Sequence, residues 1–83
     1  MIQMAELPST EDSARALLNI FLKHSIRPNE VMMIGTIRGE WSKNHRLMRE
    51  EDLLAALSYA EEHGWIVNEG SKIRLTEKGY KEI

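Results

Sequence analysis

The stretch EEHGWIVNEGSKIRLTEKG, residues 61–79, constrains the fold of this chain more than any other. It holds a helix end, a tight hairpin and the start of another helix within nineteen residues. Gly64 stands where a helix needs a residue at positive φ before the chain reverses. Trp65 follows in the position from which a Schellman-type end folds an apolar side chain back on the preceding turn. Ile66, Ile73 and Leu75 are apolar at strand spacing, while Lys72 and Arg74 take the alternate positions. The two runs turn at Glu69–Gly70. An isolated hairpin is marginal in water, so this one must pack on helices through Trp65, Ile66 and Ile73. Thr76 can end the second strand and cap a last helical turn, EKGYKEI, which Gly79 weakens.

Helices are expected upstream. In REEDLLAALSYAEEHG, Leu53, Leu54, Leu57 and Ala60 are assigned to an inner face, and acidic residues fill the first turn, where the helix dipole favours them. The cap of this helix falls on Met48 or Arg49, and neither has the side-chain chemistry a cap requires. Nearer the amino terminus, Ala14, Leu17, Leu18, Phe21 and Leu22 recur at helical spacing. Ser9 or Thr10 can cap that helix, with Asp12 in capping-box spacing from Ser9. Its end is expected near His24, because Pro28 disfavours helix at Arg27. Between them, NEVMMIGTIRGEWSKN predicts a second helix capped by Asn29, with Val31, Ile34, Ile37 and Trp41 following a three-to-four residue step. Gly35 and Gly39 would lie on one face of it, as a notch for a neighbouring backbone. SKNHRLMR is polar and basic and reads as the connection to the third helix. Residues 1–10 read as a flexible N-terminal arm, and residues 11–83 as one domain.

Bulk properties narrow the function. A chain of 83 residues supports one economical core. It has no cysteine, so neither a disulfide framework nor a thiolate metal site is expected, which fits a reducing cytoplasm. No apolar run approaches the roughly 18 residues of a membrane span, and the start lacks the form of a signal peptide. The expected location is therefore cytoplasmic, with no membrane partner. Formal charge is −2, mildly against a dedicated nucleic-acid binder.

DLLAALSYAEEHGWIV, a turn, and KIRLTEKGYKEI together resemble the closing half of a winged helix-turn-helix domain of the bacterial transcription-regulator type. Leu53, Leu57, Gly64 and Ile66 match that family's helix-to-wing pattern, and Leu75, Thr76 and Gly79 match its LT-x-x-G turn. The resemblance covers roughly residues 12 to 83 and is strongest from 52 to 80. It implies an α+β fold, a three-helix winged helix-turn-helix with a short two-stranded β-hairpin wing. It also implies duplex DNA as a partner, with the third helix in the major groove and the wing on a neighbouring groove or backbone.

Carried onto this sequence, the expected DNA-binding residues are Lys43, Arg46, Arg49, Tyr59, Lys72 and Arg74, with Glu50 and Ser58 on the same helix and Arg38 and His45 flanking. From Arg38 to Arg49 there are four basic residues against one acidic, and from Lys72 to the end four against two. Such clusters at both ends of a recognition helix suit phosphate contacts. The helix between them departs from that pattern. Residues 50–62 carry Glu50, Glu51, Asp52, Glu61 and Glu62 and no lysine or arginine. Two readings follow: a small transcriptional regulator or regulator subunit binding DNA as a dimer or beside a partner, or the same scaffold used as a protein-interaction module.

Other chemistry finds little support. His24, His45 and His63 are far apart with no zinc-binding spacing, so no metal is expected. The carboxylates at 50–52 read as a solvated helix start rather than a general acid–base pair. No phosphate loop or Gly-flanked serine is present, and a small three-helix core leaves little room for a substrate pocket. No cofactor and no enzymatic activity are expected.

Overall fold

The computed structural model describes residues 9–44 and 49–83. Within them the chain is a small α+β domain with four helices and a three-stranded antiparallel sheet. Helix α1 spans Thr10–Lys23 and is capped as expected by Ser9, whose hydroxyl accepts the Asp12 N–H at 3.0 Å. Residues 9 and 10 therefore belong to this helix and not to an arm; residues 1–8 of that expected arm lie outside the described residues. The helix ends at His24 with Ser25 at φ 58°. The Ile26 N–H reaches the Phe21 carbonyl and the Ser25 N–H the Leu22 carbonyl, so this is a Schellman end built on serine.

The segment after Pro28 departs from the expected helix. Asn29 adopts φ 73°, and its N–H donates to the Leu75 carbonyl, so it opens a strand instead of capping a helix. Strand β1, Val31–Met33, pairs antiparallel with β3, Lys72–Leu75, and helix α2 starts only at Ile34 and runs to Asn44. The expected two-stranded wing is thus part of a three-stranded sheet in the order β1-β3-β2, where β2 is Ile66–Asn68. The periodicity failed here because Met32 faces the core from a strand while Ile37 and Trp41 face it from a helix, and the two patterns overlap on paper. A β-carbon at Gly35 or Gly39 would meet nothing within 4 Å, so the expected packing notch is not there.

Helix α3, Glu50–Glu62, packs along α1 and against α2. Its cap is Arg49, and the structure supplies the physical account that the sequence lacked. Asp52 reaches back to accept the Arg49 N–H at 2.7 Å, which is the half of a capping box that needs no acceptor on the cap residue. The buried Trp41 indole donates to the Arg49 carbonyl at 3.0 Å and so joins the end of α2 to the start of α3. At the far end Gly64, φ 75°, makes the same Schellman closure as Ser25, with the Trp65 N–H on the Ala60 carbonyl. Gly70, φ 89°, turns the hairpin.

One apolar core joins Leu17, Leu18 and Phe21 of α1, Ile37 and Trp41 of α2, Leu53, Ala56 and Leu57 of α3, and Met32, Ile73 and Leu75 of the sheet. Fully burying such side chains contributes roughly 1.5–3 kcal/mol each, which is what the fold sets against chain entropy. Two residues expected inside are outside: Leu22 and Leu54 are about half exposed. The last helix, α4, is Glu77–Lys81, capped by Thr76. Arg15 ties it to α1, contacting Glu82 at 3.2 Å and lying over the Trp65 ring at 5.1 Å.

Candidate functional site

The surface to test is the outer side of α3 with its neighbours, the end of α2 and the β2–β3 hairpin. The buried set on α3 is Leu53, Ala56, Leu57 and Ala60, which recurs every three to four residues and fixes the inward face. Its exposed positions are then Glu50, Glu51, Leu54, Ser58, Glu61 and Glu62. This side carries four carboxylates, a serine and a leucine that is 52% exposed, and no cation.

The structure separates the residues expected to touch DNA. Lys43 at the end of α2 and Lys72 on β3 are exposed and stand outside every ion pair among the described residues. Arg49 is exposed but lies 3.4 Å from Glu51 and 3.7 Å from Asp52. Arg38 comes across from α2 to Glu50 at 3.1 Å. Tyr59 is half buried; its ring stacks on His63 at 3.9 Å and meets the edge of Trp65 at 5.6 Å. Arg46 and His45 lie outside the described residues.

Arg74 is the most committed of the set. Its Nε donates to Glu69 at 2.6 Å, a second nitrogen donates to the other Glu69 oxygen at 3.2 Å, and a third donates to the Asn29 carbonyl at 2.6 Å. The guanidinium therefore bridges the hairpin turn and the loop before β1. The hydrogen bond to Glu69 holds the Arg74 pKa above its usual value, and the same bond holds the Glu69 carboxyl below its own. All five described arginines, Arg15, Arg27, Arg38, Arg49 and Arg74, are held by carboxylates.

Two features of this surface are not apparent from the sequence. The Glu69–Arg74 pair was foreshadowed only by their placement on either side of a hairpin turn. Leu54 was assigned inward because it is apolar, although a helix advances 100° per residue and Leu53 already holds the inward position. Among the described residues no group of three or more His, Cys, Asp or Glu side chains is placed to hold a metal, and no helix is long and apolar enough to cross a membrane. No protein-family model matches the chain, and neither the curated proteins nor the solved structures yield a significant match.

Proposed function

We propose that this chain is a winged helix-turn-helix module that docks a protein partner on the outer face of α3. The helix order, the hairpin after α3 and the Thr76–Gly79 turn support the winged-helix part of the reading. The observation that carries the docking part is the character of the exposed α3 face: Glu50, Glu51, Glu61 and Glu62 around a half-exposed Leu54, with no cation of its own.

The electrostatics support a protein partner over duplex DNA. Duplex DNA carries one negative charge per about 1.7 Å of axis, and a helix of this length spans about 20 Å, so a groove-bound α3 would lie among on the order of ten phosphates. Glu61 and Glu62, which make no ion pair among the described residues, oppose that arrangement, because a desolvated carboxylate without a donor is costly. A protein partner has no such uniform charge and can present cations to the acids and an apolar side chain to Leu54.

One observation favours DNA as the second reading. Lys43 and Lys72 are exposed and make no ion pair among the described residues, on the elements that precede and follow α3. Arg38 and Arg49 sit in exposed ion pairs, which are weak and open readily to a phosphate. On that reading these side chains hold the backbone and α3 contributes little base contact.

A photo-crosslinker placed at Ser58 in cells expressing the full chain separates the two, with a control at the exposed Arg27. The docking reading expects a protease-sensitive adduct from position 58 and not from position 27. A nuclease-sensitive adduct from position 58, lost in a Lys43→Glu/Lys72→Glu chain, would establish the DNA reading instead.

A further inference from the structure

Resting on the docking reading, we infer that the partner segment seated on α3 is a basic amphipathic helix. It sets an apolar side chain on Leu54 and a cation against Glu61 and Glu62. Three features of the surface lead there.

The first is that the face already takes a cation from a neighbouring helix. Arg38 of α2 reaches Glu50 at 3.1 Å, at the start of α3. Glu61 and Glu62, near the other end, make no ion pair among the described residues. The face is thus compensated at one end and left acidic at the other, and a basic segment along α3 completes it.

The second is relief. Leu54 stands out, half exposed, while Ala55 and Ser58 beside it are small. Small residues next to a leucine knob let a second helix approach to the 8–10 Å at which helices pack.

The third is backbone chemistry. The side of a helix offers no row of free N–H and C=O groups, so an extended segment laid on α3 would find no backbone partners there. A helical segment satisfies its own backbone and needs only side-chain contacts. The spacing follows from the rise: Leu54 and Glu61 are about 10 Å apart along the axis, so the partner's basic group falls about two turns from its apolar residue.

The test uses three synthetic helical peptides identical except at the charged positions, which carry lysine, glutamine or glutamate. Each is titrated into the isotope-labelled full chain while backbone amide shifts are followed. The lysine peptide is expected to shift the amides of α3, to weaken with added salt, and to bind about tenfold less tightly to a Glu61→Lys/Glu62→Lys chain. Both changes are at exposed positions near the end of α3, where a cation suits the helix dipole, so the variant should keep its fold. The glutamate peptide is expected to leave α3 unshifted. Equal binding of the lysine and glutamine peptides at α3 would overturn the basic partner and leave docking on Leu54 standing. Failure of the lysine peptide to shift α3 would also overturn the inference, and the docking reading would then stand or fall on the Ser58 adduct.

Discussion

Gly79 lies so close to Trp65 that a β-carbon on it would overlap the Trp65 carbonyl group. The contact follows from the Thr76 hydroxyl, which donates to the Gly64 carbonyl at 2.6 Å, has the Trp65 carbonyl at 2.9 Å, and accepts the Gly79 N–H at 2.9 Å. One side chain thereby fastens the end of α3 to the start of α4. The glycine that looked like a weak point in a short helix is what permits this closure.

Gly79→Ala should therefore destabilise the protein by roughly 2–4 kcal/mol, outweighing the approximately 1 kcal/mol that alanine gains in helix propensity. Gly70→Ala is the control. Gly70 has φ 89° but open space around it, so alanine there meets only the left-handed backbone cost of about 1–2 kcal/mol. Urea midpoints measure both; a Gly79→Ala protein as stable as its parent would refute the closure.

Leu53 and Leu54 are adjacent, and the helix turns one inward and the other outward: Leu53 is 1% exposed and Leu54 52%. Leu53→Ala should cost roughly 2–5 kcal/mol, the range for a core leucine. Leu54→Ala should stay within about 0.5 kcal/mol of the parent. The same Leu54 change should reduce the crosslink yield at Ser58, so stability and docking come apart in one residue. A large thermal destabilisation by Leu54→Ala would place it in the core and remove the apolar half of the docking face.

What was legible in the sequence divides along a physical line. Features set by one or two residues came through. Ser9 capped α1, Gly64 took the left-handed position, Thr76 capped α4, and Glu69–Gly70 lay in the hairpin turn. Features set by partners distant in sequence did not. Val31–Met33 is a strand because β3 has a second edge to fill, and nothing in VMMIG announces a partner forty residues away. Arg74 looked like a surface cation because its alternation pointed it outward. The structure gives it Glu69 and the Asn29 carbonyl, so its position was read correctly and its availability was not. The acidity of α3 is plain in the sequence, whereas only the fold shows that Leu54 shares its exposed side.

Glu40 and Glu69 give the protein an acid-sensitive component. Hydrogen bonds from Lys23 and then His24 hold Glu40 below the ordinary carboxylate value, and the bond from Arg74 does the same for Glu69. A carboxyl depressed in the folded state contributes stability above its unfolded pKa, about 4.3 for glutamate, and loses it as pH falls through the lower folded value. Their contribution should thus hold steady down to the carboxylate range and then decline below it. Added salt should shrink the decline, because both pairs are open to solvent. In a Glu40→Gln/Glu69→Gln chain, stability at neutral pH should be lower and the acid decline shallower. Urea midpoints taken across the acid range would show it. Parallel curves for parent and variant would mean that these two pairs contribute nothing to the pH dependence.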